Sequence, residues 1–185
     1  MHISFLLDKS GSMNVIRDAA IQGFNGYVAE QREVPGEATL TMAQFSGSMQ
    51  ITFSDVPLGS VGNLDRNSYI PSGSTALYQS ICLLAEREER AHPEEPVIMV
   101  IMTDGQDTDD RNGVWRRKAA ETRARLSERG WQFLFLGANI NVEEYADSLG
   151  IDRKFAYSFQ ATAAGASAGY ATLSTATKGL RGTTY

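Results

Sequence analysis

The chain opens with Met1-His-Ile-Ser-Phe-Leu-Leu-Asp8-Lys9-Ser10-Gly11-Ser12-Met13, an apolar run that ends abruptly in polar residues. The apolar part contains no Gly or Pro and predicts a buried parallel strand. Asp8, Ser10 and Ser12 then supply a carboxylate and two hydroxyls. Open α/β sheets bind ligands at the carboxyl ends of their strands, so these oxygens are expected to line a binding crevice. Oxygen donors of this kind favour a hard cation such as Mg²⁺.

The composition is that of an ordinary globular domain. Its 185 residues are 42% hydrophobic and 21% charged, which suits one domain with a sizeable core. The net charge of −5 argues against a sequence-independent nucleic-acid binder, because such a protein needs a basic surface. We find no leader and no apolar run of membrane-spanning length, so we expect a cytoplasmic protein with no membrane partner. The single cysteine, Cys82, is expected to be an inert buried thiol.

Strand and helix patterns alternate along the chain, which predicts a doubly wound sheet. A helix is expected from Asn14 to about Glu33. Residues 38–45 and 49–56 alternate in polarity around a Ser-Gly-Ser turn and predict an antiparallel hairpin with an edge strand. The remaining strands are predicted at 97–102, 131–136 and 155–159, and the remaining helices begin at Leu77, near Trp115 and at Val142.

The expected architecture is an α/β, Rossmann-like, mostly parallel sheet of about six strands, with one antiparallel edge strand and helices on both faces. Gly23 and Gly26 lie inside the first helix, where each costs about 1 kcal/mol relative to alanine. We interpret both as points of close packing of this helix on the sheet. Residues 161–185 are rich in Ala, Thr, Ser and Gly and predict a weak final helix, with a frayed end after Lys178 as the alternative.

Two later segments carry oxygens to the same edge of the predicted sheet. Ser72-Gly73-Ser74-Thr75-Ala76-Leu77 precedes a helix, and the apolar strand 97–102 runs into Thr103-Asp104-Gly105. Because the carboxyl ends of the central strands come together, Asp8, Thr75 and Asp104 are expected in one crevice. The three segments together resemble a von Willebrand factor type A domain over roughly residues 2–160. That family marks its metal-ion-dependent adhesion site with Asp-x-Ser-x-Ser, then a distant Thr and a distant Asp.

The resemblance implies a metal site with five residues in stated roles. Ser10, Ser12 and Thr75 would bind the ion through their hydroxyls, and Asp8 and Asp104 would act largely through bound waters. Mg²⁺ is the expected ion, with Mn²⁺ and Ca²⁺ as alternatives. In this family a Glu or Asp side chain of a partner protein completes the coordination. The resemblance further implies a stand-alone intracellular domain of bacterial or phage type, spanning residues 1–185, that works beside an ATPase.

Three other interpretations of the same oxygens are open. The hydroxyls and acids could cap two helices, or the metal could be purely structural in a scaffold. A phosphohydrolase of the haloacid dehalogenase type also has an Asp after its first strand, but it needs a second acid where Ser10 stands. His2 and His92 are the two histidines of the chain, and neither follows a late strand as a catalytic triad requires. We therefore expect no enzyme.

Two further groups of metal-ligating residues receive a structural interpretation. Asp107, Asp109 and Asp110 lack the Gly and final Glu of an EF-hand loop, so they are interpreted as a solvated acidic rim. His2 and His92 lie far apart in the sequence, and His92 precedes Pro93 in an apparent linker. No His/Cys metal cluster is therefore expected.

Overall fold

The computed structural model describes residues 1–182 and shows a six-stranded sheet with helices on both faces. The strands are β1 (His2–Asp8), β2 (Thr39–Phe45), β3 (Met49–Pro57), β4 (Val97–Thr103), β5 (Gln132–Ala138) and β6 (Ala156–Phe159). The helices are α1 (Arg17–Arg32), α2 (Leu77–Ala91), α3 (Val114–Glu128), α4 (Val142–Leu149) and α5 (Ala163–Gly182). The strand order is β3-β2-β1-β4-β5-β6, and every pairing is parallel except that of β2 with β3. The predicted doubly wound fold with one antiparallel edge strand is confirmed.

The two central strands, β1 and β4, are buried along their whole length because helices cover both of their faces. Successive side chains of a strand point to opposite faces, so β1 contributes to two cores. Ile3, Phe5 and Leu7 pack toward α1 and α5, whereas Leu6 packs toward α2, α3 and α4. Since β1 and β4 are parallel neighbours, their carboxyl ends lie side by side at one edge of the sheet.

The chain between β1 and α1 differs from the prediction. A 3₁₀ turn covers Gly11–Ile16, and the α-helix begins only at Arg17. Ser10 precedes this turn with an extended backbone and forms no side-chain capping bond. Asn14 instead donates from Nδ2 to the carbonyls of Gly11 (3.0 Å) and Pro71 (3.2 Å). The turn is therefore tied to a neighbouring loop instead of continuing as a regular α-helix.

The last helix, α5, is held by buried polar contacts that its small-residue sequence does not reveal. Tyr27 of α1 donates to Thr177 Oγ1 (3.0 Å), and Gln31 Nε2 donates to Ser174 Oγ (3.1 Å). The buried Arg181 guanidinium donates to the Gln31 carbonyl (2.5 Å). These bonds fix α5 against α1 as far as Gly182, and the remainder of the predicted tail, residues 183–185, lies outside the described residues.

The environment of Cys82 agrees with the inert thiol expected from the sequence. Cys82 is fully buried on α2, and burial raises the pKa of its thiol to about 11, so very little thiolate forms near neutral pH. This environment agrees with an unreactive thiol.

Within residues 1–182, none of the helices combines the length and the apolar character needed to cross a lipid bilayer.

Gly23 permits a close approach between α1 and α5. A methyl group built on Gly23 would lie 2.0 Å from Cδ2 of Tyr170 in α5, which is far inside van der Waals contact. Around the exposed Gly26, no described atom lies within 4 Å of such a methyl group. The interpretation that both glycines pack a helix on the sheet is therefore wrong. Gly23 packs against a second helix, and Gly26 faces open space.

Gly23→Ala is expected to destabilise the protein by about 1–3 kcal/mol, because the added methyl group must push the Tyr170 ring and α5 away. Gly26→Ala is the matched control, and its higher helix propensity is expected to add up to about 1 kcal/mol. Urea unfolding of both variants measures the difference. Stabilisation by both substitutions would show that α5 can move away from α1 without a loss of stability.

Candidate metal centre

The five predicted site residues gather where the carboxyl ends of β1 and β4 meet. Asp8 is the last residue of β1, and Asp104 directly follows β4. Ser10 and Ser12 lie just beyond β1, the second of them within the 3₁₀ turn. Thr75 lies in the loop that leads into α2. Three segments that are distant in sequence thus reach the same edge of the sheet.

Three hydroxyls and one carboxylate at this edge face a common small volume. Ser12 Oγ donates to Asp104 Oδ1 (2.7 Å) and lies 3.2 Å from Ser10 Oγ. A methyl group built on Gly105 would lie 3.6 Å from Ser12 Oγ and 3.8 Å from Thr75 Oγ1. Both of these hydroxyls therefore point toward Gly105, where the three segments converge.

The Asp8 carboxylate lies behind the hydroxyls and is completely buried. Its Oδ1 accepts from the Ser10 backbone N–H (2.6 Å), and its Oδ2 accepts from Thr103 Oγ1 (2.6 Å). Tyr69, also buried, donates to the Asp8 carbonyl (2.6 Å). The sequence interpretation assigned no role to Thr103 or Tyr69. Thr103 could have been found from its place beside Asp104, whereas Tyr69 lies in an irregular loop with no pattern that marks it.

Burial makes the two site carboxylates difficult to ionise. It raises the pKa of Asp8 from 3.8 to about 6, against hydrogen bonds from Thr103 and Ser10 that lower it, and the nearby Asp104 raises it further. Burial also raises the pKa of Asp104, opposed by the hydrogen bond from Ser12. A divalent cation among these oxygens would relieve the cost of ionising both acids. Three hydroxyls and two carboxylates are also the donor types that Mg²⁺ and Mn²⁺ prefer, so the residues fit such an ion.

Helix capping does not account for the hydroxyls. Ser10 forms no side-chain capping bond at the start of the 3₁₀ turn. The residue at the amino end of α2 is Ala76, which has no polar side chain. Thr75 is instead fixed through its backbone, because its N–H donates to Thr108 Oγ1 (3.0 Å) and its carbonyl accepts from the Thr108 N–H (2.9 Å). Its side-chain hydroxyl therefore remains available toward Gly105.

The acidic loop after β4 serves the two neighbouring helices. Asp107 Oδ2 accepts from the Tyr78 N–H at the start of α2 (2.9 Å), and Asp110 Oδ1 accepts from the Trp115 N–H at the start of α3 (3.1 Å). A carboxylate at a helix amino terminus satisfies free N–H groups and complements the helix dipole. The interpretation of Asp107 and Asp110 as a solvated rim is therefore wrong. Both carboxylates are helix caps that shape the loop beside the site.

Known proteins resemble this chain in structure, whereas comparisons of its sequence find no match. The sequence matches no protein-family model, and no curated protein matches it. The mussel byssus proximal thread matrix protein 1, solved with a zinc-occupied metal-ion-dependent adhesion site motif, is 15% identical with a TM-score of 0.69, over 96% of this chain and 45% of that one. The von Willebrand factor type A structure from Catenulispora acidiphila is 15% identical with a TM-score of 0.64, over 94% of this chain and 41% of that one. The chain has the von Willebrand factor type A fold.

A third von Willebrand factor type A neighbour is the manganese-loaded TRAP protein of Plasmodium vivax. It is 21% identical with a TM-score of 0.60, and the match covers 91% of this chain and 71% of that one. This chain spans less than half of the mussel and Catenulispora proteins. The structural matches establish the fold alone at identities this low.

Proposed function

We propose that this domain binds a divalent cation, Mg²⁺ in the first instance, through Asp8, Ser10, Ser12, Thr75 and Asp104, and uses the ion to bind a partner protein. The observation that carries the proposal is the contact of the Ser12 hydroxyl with both Asp104 and Ser10. The Thr75 hydroxyl faces the same glycine as Ser12, and the buried Asp8 carboxylate accepts from the Ser10 N–H. Mn²⁺ and Ca²⁺ are the alternative ions. The zinc- and manganese-loaded neighbours support metal binding by this fold.

The roles of the residues follow from their existing hydrogen bonds. Both Asp8 oxygens already accept bonds from the protein, which suits a carboxylate that holds the ion's waters at a distance. The Ser10, Ser12 and Thr75 hydroxyls are neutral donors and would contact the ion directly. Neutral ligands leave the charge of Mg²⁺ largely uncompensated, so the ion favours an external anionic oxygen. A Glu or Asp side chain of the partner is the group we expect to supply it.

The surface beside the site offers apolar contacts to such a partner. Val15 in the 3₁₀ turn is 79% exposed, and Ile70 in the facing loop is 58% exposed. Asn14 Nδ2 donates to the Pro71 carbonyl (3.2 Å), which joins the two segments that carry them. Protein interfaces combine a few apolar anchors with a polar contact that sets specificity. A partner with an acidic residue flanked by apolar side chains fits this surface.

We also propose, on the sequence resemblance, that residues 1–185 form one domain and that the protein acts in the cytoplasm of a bacterial or phage-infected cell beside an ATPase. Nucleic acid is not among the proposed partners, because the net charge is −5. A membrane is not proposed either, because none of the described helices could span one.

Affinity capture with and without a chelator tests the proposed interaction. The tagged protein is expected to retain a partner in Mg²⁺ and to release it in EDTA, and the Asp104→Ala variant should retain none in either buffer. Melting temperatures in the same buffers distinguish a binding ion from a structural one. Capture that persists in EDTA, or hydrolysis of p-nitrophenyl phosphate that depends on Asp8, would contradict the proposal and favour the scaffold or the phosphohydrolase.

Thr75→Ala is expected to weaken metal-dependent capture while costing at most about 1 kcal/mol of stability, because its hydroxyl is not a helix cap. The neighbouring Ser74→Ala is the matched control, since Ser74 Oγ donates to Asp109 Oδ2 (3.0 Å) and lies outside the proposed ligand set. Capture and chemical unfolding are measured on both variants. A sharp loss of stability in Thr75→Ala with unchanged capture would make Thr75 a structural residue.

A further inference from the structure

Two histidine rings lie stacked at the amino end of β1, the end opposite the site described above. Their centroids are 3.9 Å apart and their planes differ by 21°. His2 begins β1 and is fully buried, and His92 follows the last residue of α2 and is 9% exposed. The sequence interpretation of remote histidines, with His92 in a linker, is therefore wrong. The carboxyl end of α2 returns the chain to the start of β1 and brings the two rings together.

Two carboxylates approach the same pair of rings. Glu88, one turn before the end of α2, is fully buried, and its Oε2 lies 2.7 Å from His2 Nε2 and 3.7 Å from His92 Nε2. Asp55 of β3 is half-exposed, and its Oδ1 lies 3.7 Å from His92 Nε2 and 3.4 Å from His2 Nδ1. The cluster therefore joins the central strand, the edge strand and a helix that covers the sheet.

The Nδ1 atom of each ring lies beside a possible acceptor, and the Nε2 atom of each ring faces Glu88. His2 Nδ1 lies 2.8 Å from Thr39 Oγ1, and the Thr39 hydroxyl itself donates to Asp55. Thr39 Oγ1 is thus placed to accept a proton from His2 Nδ1, and the tautomer with that proton has a lone pair on Nε2. His92 Nδ1 lies 3.4 Å from Glu95 Oε2, which can orient the second ring in the same way. Metal-binding histidines commonly use this arrangement, donating the outer N–H to a carboxylate or hydroxyl.

Three buried atoms in the cluster have no hydrogen-bond partner: His2 Nε2, His92 Nε2 and Glu88 Oε2. His2 Nε2 and Glu88 Oε2 lie 2.7 Å apart, which is close enough for an ion pair when the ring is protonated or for a shared cation when it is neutral. Arg87 already pairs with the other oxygen of Glu88, so this carboxylate has a counter-charge without a protonated histidine. When both rings are neutral, three lone pairs face one another away from water, and this is unfavourable unless a cation lies among them.

We propose that His2, Glu88, His92 and Asp55 form a second metal site, which takes a borderline transition-metal ion such as Zn²⁺ or Co²⁺. Tetrahedral zinc has bonds of about 2.0–2.2 Å to nitrogen and oxygen, which places its ligand atoms roughly 3.3–3.6 Å apart. Glu88 Oε2 lies 2.7 and 3.7 Å from the two Nε2 atoms, and Asp55 Oδ1 lies 3.7 Å from His92 Nε2, so these separations bracket that spacing. Potential ligand atoms of His2, Asp55 and His92 all lie within 4.8 Å of one another. Imidazole nitrogen selects such ions over Mg²⁺, so the two sites differ in metal preference.

The backbone of β3 is distorted where it supplies the fourth ligand. Asp55 has a φ of 51°, in the left-handed region that a non-glycine residue seldom occupies, and the pairing of β2 with β3 shifts register nearby. The Asp55 N–H donates to Thr41 Oγ1 (3.1 Å), which stabilises the irregular segment. Such bulges re-aim side chains at functional positions. Because Asp55 is half-exposed, it also gives an ion access from solvent, and the bound ion would clamp the edge strand to α2.

The imidazole NMR signals test this site in the wild-type protein, because His2 and His92 are the two histidines of the chain. In long-range ¹H–¹⁵N spectra of metal-free protein, Zn²⁺ is expected to shift both Nε2 resonances and to saturate at one equivalent for this site. Mg²⁺ should leave them unchanged. The same shifts are expected in Asp104→Ala, which removes the other metal site and separates this proposal from the adhesion function.

Co²⁺ substitution adds a direct readout of coordination. The wild type and Asp104→Ala are expected to show the strong visible absorption of tetrahedral Co²⁺, whereas His92→Gln should lose it and weaken Zn²⁺ binding by at least ~10–100-fold. Glu88→Gln keeps the shape of the side chain and removes its charge, and it is the second variant for the same two measurements. Nε2 resonances that do not move with excess Zn²⁺ would overturn the proposal and identify the cluster as a proton-bearing ion pair. Shifts that disappear in Asp104→Ala would overturn it as well.

Discussion

Asp8→Asn is expected to stabilise the metal-free protein by about 1–3 kcal/mol at about pH 8 and to abolish Mg²⁺ binding. Burial raises the pKa of Asp8 from 3.8 to about 6, and a shift of about two units corresponds to roughly 3 kcal/mol spent on keeping this carboxylate ionised. Asparagine is neutral and can retain the hydrogen bond from the Ser10 N–H. The metal site would then be a place where stability is given up for ion binding.

The size of this effect depends on pH. Between about pH 4 and pH 6 the folded protein binds a proton at Asp8 that the unfolded chain releases, so the stability of the wild type falls as the pH rises through this window. The advantage of Asp8→Asn should therefore be small near pH 4 and complete above about pH 7. For a chain of this size, each kcal/mol moves the melting temperature by about 2–4 °C.

Urea unfolding in EDTA across this pH range measures the effect. Glu121→Gln removes an exposed carboxylate on α3 and is the control for net charge, with no expected change in stability. An Asp8→Asn variant that is less stable than the wild type near pH 8 would show that the ionised carboxylate supports the fold. The free-energy cost assigned to ionising Asp8 in the metal-free protein would then be wrong.

Asp104→Ala is expected to lower the affinity for Mg²⁺ and Mn²⁺ by at least ~10–100-fold, the usual loss when a group that orients the ligands is removed. The Asp104 carboxylate accepts the Ser12 hydroxyl and so directs the Ser12 oxygen lone pairs toward the proposed ion. Its loss also removes one of the two negative charges at the site. Calorimetric titration should find one Mg²⁺ site in the wild type and a greatly weakened one in the variant.

Asp109→Ala is the matched control for this titration, because it removes an exposed acid from the same loop whose side chain bonds to Ser74 and Thr108 and to none of the five proposed ligands. It is expected to bind Mg²⁺ as the wild type does. Unchanged affinity in Asp104→Ala would exclude Asp104 from the site. An equal loss in both variants would indicate that the ion responds to the general charge of the loop.

The sequence was sufficient for the parts of the structure that depend on local pattern. The apolar runs of β1 and β4 marked the central strands, and the alternation in residues 49–56 marked the edge strand. Because parallel strands end at a common edge, the meeting of Asp8 with Asp104 followed from those assignments. The structure places these residues as that argument requires, and their role as metal ligands stays a prediction.

Contacts between distant segments could not be predicted in this way. No periodicity encodes the return of α2 to the start of β1, so the stacking of His2 on His92 was missed. The support of Asp8 by Tyr69 depends on the path of an irregular loop. The stability of α5 likewise depends on buried partners in α1 that a weak Ala/Ser/Thr pattern does not indicate. Each of these features is a product of tertiary structure.

One cation and one carboxylate are proposed to bind this domain together. An anionic oxygen that enters the coordination of the ion adds a full charge, so each ligand must tighten the other by the same factor. Mg²⁺ and Mn²⁺ titrations in acetate, and in methanesulfonate at equal ionic strength as the control, measure this coupling most directly. Acetate is expected to tighten metal binding by about 5-fold or more, the lower end of a typical coupling of about 1–3 kcal/mol. Identical metal affinity in the two anions would contradict the account and make the ion structural.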